Sequence, residues 1–186
     1  MKAVDAGHSV YISLGSNVDR HKHIGSALDA LNDRYMLLAI STVYESASIG
    51  FVGDPFFNLV VQLETRESLA QLGSALRKIE GANGRTRGEA KFSDRTLDID
   101  ILLYDDRVGN FEGMRLPRPE ITENAYVLWP MAEIAGDLIL PGGNSRMADL
   151  WAAFEKSAQK LSPIPFSWQG NALPLAGSRR VVNQNL

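Results

Sequence analysis

Val10, Ile12 and Leu14 alternate with Tyr11 and Ser13 at the period of two that a half-buried strand imposes, and Gly15, Ser16 and Asn17 then carry turn chemistry. After Asp19 the apolar positions Ile24, Ala27, Leu28 and Leu31 fall at helical spacing, and Asn32 with Asp33 closes the segment. The apolar run from Met36 to Tyr44 predicts a second strand. Residues 45–55, with two glycines and a proline, predict a loop free to move. Phe56 to Thr65, dense in aromatic and β-branched residues, predicts a third strand. Ser68 and Gln71 form a capping box that opens a helix whose stripe is Leu69, Leu72, Leu76 and Ile79, and Gly81 and Gly84 end it. Period-two alternation returns from Thr96 to Tyr104.

The resulting order, βαββαβ, predicts an α+β protein: a ferredoxin-like sandwich with an antiparallel sheet and two helices on one face. Ala125 to Ile134 and Asp149 to Leu161 read as additional C-terminal helices, with Pro130 expected to kink or shorten the first. One domain is expected over residues 1–161. From Ser162 onward Pro, Gly and Asn accumulate, so a loosely ordered tail is expected over 162–186, with Phe166 and Trp168 pinning it to the body.

Composition narrows the chemistry. The chain of 186 residues is 45% hydrophobic and 22% charged, enough for one substantial core. Its net charge of −3 leaves no overall positive field for nucleic acid or an anionic membrane, so neither is expected as a partner. Absence of cysteine removes disulfides, thiolate metal sites and cysteine nucleophiles together. No apolar run approaches the roughly 20 residues of a membrane span, and Asp5 and Gly7 interrupt the start before any apolar stretch. A cytoplasmic location and a monomer are the expectations. Neither a G-x-x-x-x-G-K-[ST] loop, a G-x-G-x-x-G fingerprint nor a G-x-S-x-G elbow occurs. His21 and His23, two apart on a helix, point to different faces and read as surface residues.

The segment Arg95 to Tyr104 carries the strongest chemical signal. Leu97, Ile99, Ile101 and Leu103 should face one side of the strand and Asp98 and Asp100 the other. Two residues apart, the aspartates lie roughly 6 to 7 Å from one another at their Cα atoms, close enough to share a metal or to bridge two. Aspartate is depleted in strands, so the pair calls for a compensating cation. Arg85, Arg87, Lys91 and Arg95 supply four positive groups within eleven residues of the preceding loop. Carboxylates beside guanidinium groups suit a magnesium-bound polyphosphate, whose transfer depends on positioning and charge stabilisation. The plainer reading is a solvated edge-strand face beside a salt-bridge lattice. Phe56, Phe57 and Tyr126 could stack on a flat heterocycle or pack the core.

Four blocks in order carry a resemblance: Tyr11-Ile12-Ser13-Leu14-Gly15-Ser16-Asn17, Phe57-Asn58, Gly84-Arg85-Thr86-Arg87 and Arg95-Thr96-Leu97-Asp98-Ile99-Asp100-Ile101-Leu102. With Leu116-Pro117 and Val127-Leu128-Trp129-Pro130, the chain resembles the 6-hydroxymethyl-7,8-dihydropterin pyrophosphokinase family from about Val10 to Pro141. That resemblance implies transfer of the β,γ-diphosphate of ATP to the pterin hydroxymethyl group in folate biosynthesis, with AMP released. It implies two Mg2+ ions at Asp98 and Asp100, catalytic roles for these and for Arg85 and Arg95, and nucleotide contacts at Glu80, Arg85, Arg87, Arg95, Ile101 and Arg118. It also implies a pterin pocket lined by Ser46, Ile49, Phe56, Asn58, Phe92 and Tyr126.

The chain departs from the family pattern at Arg118, where histidine is usual, at Asn124, where arginine is expected, at Phe92 in place of tryptophan, and at Gly88 in place of a basic residue. Arg118 and Asn124 motivate an alternative, a weakened paralogue that binds pterin or nucleotide. An RNA-binding module shares the βαββαβ order but needs a basic face and aromatics on the central strands. Glycoside hydrolysis needs carboxylates on opposite sides of a bond, which neighbours on one strand do not provide.

Overall fold

The computed structural model describes residues 7–48, 50, 52–85, 94–111 and 113–176. The alternation after Gly7 forms β1 (His8–Ser16), and the helical stripe that follows forms α1 (Arg20–Arg34), which buries Ile24, Ala27, Leu28 and Leu31. His23 lies on the same buried face, its Nδ1 2.9 Å from Asn83 Oδ1, so it is a core residue; only His21 is exposed.

The run from Met36 to Tyr44 forms two strands, β2 (Met36–Ile40) and β3 (Val43–Ser46). Ser41 makes the break. Its N–H donates to Val60 O (3.0 Å) while its hydroxyl oxygen accepts from Val60 N (2.9 Å), so a side chain stands in for the ladder at one step. Thr42 then gives its N–H and its hydroxyl to Glu133 (2.9 and 2.7 Å). Beyond the loop, β4 (Phe56–Thr65) pairs from Phe57 to Thr65 with β1 and on its other edge with β2 and β3 in turn. The capping box of Ser68 and Gln71 opens α2 (Leu69–Ala82), with both reciprocal bonds present.

The strand expected from Thr96 begins two residues later as β5 (Asp98–Tyr104). A register shift against β1 at Tyr11/Ile12 opposes Ile12 to Ile101 and Tyr11 to Leu103, leaving Leu102 as the extra residue. Such a bulge reverses the alternation beyond it. Leu97, Ile99, Ile101 and Tyr104 therefore enter one core and Leu102 and Leu103 the other, so Leu103 does not share the face of Ile99 and Ile101 as expected.

A hairpin of β6 (Gly109–Phe111) and β7 (Met114–Leu116) leads to a short α3 (Glu120–Glu123) and to α4 (Ala125–Ala135). Pro130 sits inside α4, which nevertheless runs on to Ala135, so the expected shortening does not occur. Burial of Val127, Leu128, Pro130 and Met131 outweighs the hydrogen bond that proline forfeits. The last helix, α5 (Met147–Ala153), stops well short of Leu161. Phe154 is extended there, and Glu155 accepts from both the N–H and the hydroxyl of Ser157 (3.1 and 2.6 Å), local bonding that competes with helix.

The tail expected to be loose is paired into the structure through residue 176. β8 (Leu161–Ile164) pairs with β3, a hairpin of β9 (Ser167–Trp168) and β10 (Asn171–Ala172) follows, and β11 (Leu175–Ala176) pairs with β2. Phe166 and Trp168 are buried, and Trp168 Nε1 donates to Asp29 Oδ1 on α1 (2.8 Å).

The main sheet runs β11-β2-β4-β1-β5, with β3 beside β4 and β8 beside β3, and every pairing is antiparallel. Its βαββαβ centre is the ferredoxin-like sandwich. On one face Val10, Ile12, Leu14, Leu59 and Val61 pack under α1 and α2; on the other, Tyr11, Val60, Leu102 and Leu103 pack under α4. The second cover is shorter than the sheet. The end of that face at Ser13 and Gly15 is left open.

Candidate active site

Asp98 and Asp100 project onto the open end, opposite Gly15 and Ser13 on β1. Gly15 keeps the floor low: a Cβ there would stand 3.6 Å from Asn58 Oδ1 and 3.9 Å from the Phe56 ring.

Three arginines reach the aspartates from separate elements. Gly84 ends α2 in the left-handed region (φ 86°), and Arg85 N donates back to Glu80 O (3.1 Å), the bond pattern of a glycine-terminated helix. That turn aims the Arg85 guanidinium at Asp98 Oδ1 (2.5 Å) and at Glu80. Glu80 is buried and also accepts from Ile99 N (2.8 Å), which ties α2 to β5. Arg95 stands 3.0 Å from the same Asp98 oxygen. From the segment after β7, Arg118 Nη2 donates to Asp100 Oδ1 (2.5 Å), while its buried Nε lies 3.5 Å from Glu120.

Arg95 owes its position to Asn17, a residue that sequence reasoning assigned only to turn chemistry. Asn17 is 3% exposed. Its Oδ1 accepts from Arg95 N (2.6 Å), its N–H donates to Arg95 O (3.0 Å), and its amide donates to Asp94 Oδ1 (2.6 Å) and Asp54 O (3.2 Å). One side chain thereby joins the end of β1 to the segments before β4 and β5.

Electrostatics follow from this crowding. Burial, then the Asp98 carboxylate, holds the Asp100 carboxyl above its ordinary range, with the Arg118 guanidinium opposing. Burial raises the Glu80 carboxyl too, against the Ile99 N–H and Arg85. The Tyr126 hydroxyl is raised by burial and then by Glu120, Asp100 and Asp98.

Two cavities meet at the aspartates. One, of about 590 Å³, runs along α2 past Gly73, Arg77, Glu80, Ile101 and Met114. The other, of about 520 Å³, lies on the sheet face among Ser46, Phe56, Asn58, Asn124 and Tyr126. Arg85, Arg95, Asp98, Asp100 and Arg118 line both. The structure thus brings together Glu80, Arg85, Arg95, Asp98, Asp100, Ile101 and Arg118 on one side, and Ser46, Phe56, Asn58 and Tyr126 on the other. Phe57 does not join them; it is packed in the core with the Arg20 guanidinium 4.0 Å over its ring. Ile49, Arg87, Gly88 and Phe92 lie outside the described residues.

Among the described residues no cluster of three or more His, Cys, Asp or Glu could hold a metal ion. Two carboxylates on one strand face are still the donors that Mg2+ takes, since that ion uses one or two carboxylates and completes its shell with water and phosphate oxygens. The donor set fits such an ion together with a phosphate ligand.

Residues 11–136 match the family model described as 7,8-dihydro-6-hydroxymethylpterin-pyrophosphokinase. The chain belongs to that family. A Pseudomonas aeruginosa relative named 2-amino-4-hydroxy-6-hydroxymethyldihydropteridine pyrophosphokinase is 36% identical over 148 residues, 77% of this chain and 90% of that protein. An Aquifex aeolicus relative of the same name is 36% identical over 135 residues, 72% of this chain and 84% of its own. Among solved structures, wild-type Plasmodium falciparum HPPK-DHPS with pteroate superposes with a TM-score of 0.68 at 12% identity, a likeness of fold alone. It covers 91% of this chain, which spans about half the length of that one (50%). Family membership makes the chain an enzyme, a diphosphotransferase, and the binding-only paralogue loses its support. No helix among the described residues is long and apolar enough to cross a membrane.

Proposed function

We propose that the chain moves the β,γ-diphosphate of ATP onto the hydroxymethyl oxygen of 6-hydroxymethyl-7,8-dihydropterin and releases AMP. The observation that carries this reading is the shared wall of two cavities joined at Asp98 and Asp100. The pterin occupies the cavity of Ser46, Phe56, Asn58 and Tyr126. There Phe56 and Tyr126 offer ring faces to a flat heterocycle, and the Asn58 amide, held by Ser46 Oγ (3.0 Å), offers polar edges. The ATP polyphosphate occupies the cavity along α2, where Arg85, Arg95 and Arg118 supply forked donors.

In the transfer a bond forms between the hydroxymethyl oxygen and the β-phosphorus, and the bond from that phosphorus to the oxygen of AMP breaks. The hydroxyl proton passes to solvent, and AMP departs with the bridging oxygen. Two magnesium ions at Asp98 and Asp100 would neutralise the polyphosphate charge when bound. The protein's own part is to hold the hydroxyl and the phosphorus in line and to set guanidinium groups against the charge that spreads over the transferring oxygens. Assay of AMP release with ATP, the pterin and magnesium tests the proposal. AMP should appear only when all three are present; ADP as the product, or AMP formed without pterin, would overturn it.

A further inference from the structure

The two walls of the cavity assigned to the pterin come from different elements, and one short segment holds both. Ser46 is the last residue of β3, a strand of four residues paired on one edge with β4. On its other edge β8 pairs Leu161 with Ser46 and Ser162 with Glu45. Tyr126 stands in the first turn of α4, whose N-cap residue Asn124 supplies no side-chain cap. The Ala125 N–H is buried and donates to Gln159 Oε1 (2.8 Å), while Gln159 Nε2 donates to Glu123 O at the end of α3 (2.9 Å). A single amide therefore satisfies one donor and one acceptor at the α3–α4 junction; the buried Ala125 N–H is the one costly to leave unpaired, while Glu123 O is exposed. Gln159 and Leu161 are two residues apart. This part of the chain lies beyond the family match, which ends at residue 136.

We propose that residues 159–164 form a strap that sets the width of the pterin cavity, with Gln159 a positioning residue for Tyr126. The inference rests on the pterin occupying that cavity. Breaking the Gln159 contacts frees the first turn of α4 to shift, and affinity for the flat heterocycle falls while the arginines and aspartates stay in place.

The test measures KM for pterin, KM for ATP and kcat separately. Gln159→Leu should raise the pterin KM about fivefold, the value of one buried hydrogen bond, with kcat and the ATP KM within about twofold. Gln159→Glu keeps the acceptor for Ala125 N–H at a helix N-terminus and should restore pterin KM to within about twofold. Gln159→Ser, too short to reach either group, gives the same expectation as Gln159→Leu if the latter fails to fold. Asn58→Ala serves as the reference for the cavity itself. A raised pterin KM in Asn58→Ala with none in the Gln159 variants overturns the strap alone. An unchanged pterin KM in all of them overturns both the strap and the placement of the pterin. Equal losses in pterin KM, ATP KM and kcat in Gln159→Leu would mark a general structural role and also overturn it.

Discussion

Asp98 accepts from both Arg85 and Arg95, and Asp100 from Arg118, so the site is an array of charge-assisted bonds in which each of these arginines also lines both cavities. A polyphosphate offers these arginines a second anion, and a divalent cation offers the aspartates a second partner. Arg95→Ala should therefore slow the chemical step, lowering kcat by about 100-fold with little change in pterin KM, as single-turnover kinetics would show. Asn17 acts one step back. Asn17→Ala removes its side-chain bonds to Arg95, Asp94 and Asp54 and leaves buried groups unpaired. It should reduce kcat about tenfold and lower the melting temperature by several degrees, read by steady-state kinetics and thermal unfolding. Asp98 and Asp100 were legible because two acids in an otherwise apolar strand demand a cation. Asn17 was not, since an asparagine after glycine and serine is ordinary turn chemistry, and its partners lie 37 and 77 residues away.

Helix α4, which frames the sheet-face cavity, is tied to the strand edge beside it by side chains. Glu133 on α4 accepts from Thr42 beside β3 and lies 3.4 Å from the Tyr44 hydroxyl. Burial, then the Glu133 carboxylate, pushes the Tyr44 hydroxyl from 10.0 up to about 12. A pKa raised by folding favours the neutral form in the native state, so the stability it contributes is whole below pH 10 and is lost as pH rises from there through 12. Tyr44→Phe should make the melting temperature fall less steeply between pH 10 and 12 than in the parent protein, measured by calorimetry across that range. Hydrophobic period located β1, α1, β4, α2 and β5, and a capping box marked the start of α2. The break at Ser41 and the bulge at Leu102 escaped because each depends on which strand lies alongside. The sequence pattern overruns α5 because Phe154, Ala158 and Leu161 continue an apolar spacing after the backbone has turned away from helix.

Across the described residues, one face of the sheet packs under α1 and α2 and the other under α4, with α3 and α5 against α4, and the open site lies at the Asp98 end of that second face. The C-terminal strands β8 and β11 extend one side of that sheet, beside β3 and β2, and β5 forms the opposite edge. Their composition, rich in Pro, Gly and Asn, reads as loose chain; in the structure Pro165, Gly170 and Pro174 stand between very short strands, and Pro163 and Asn171 lie within them. Trp168→Ala removes a buried indole and its bond to Asp29, and should cost about 3 to 5 kcal/mol in denaturant unfolding. The two-cavity arrangement makes a sharper demand on the aspartates. Each replacement relieves carboxylate repulsion and leaves its arginine partners only partly buried and open to water, so Asp98→Ala and Asp100→Ala should stay folded and still bind the pterin. The deciding measurement is AMP release by these two variants at saturating ATP, pterin and magnesium, beside pterin binding by fluorescence. Retained binding with turnover reduced by about 1000-fold or more agrees with the assignment; near-normal turnover in both would contradict it.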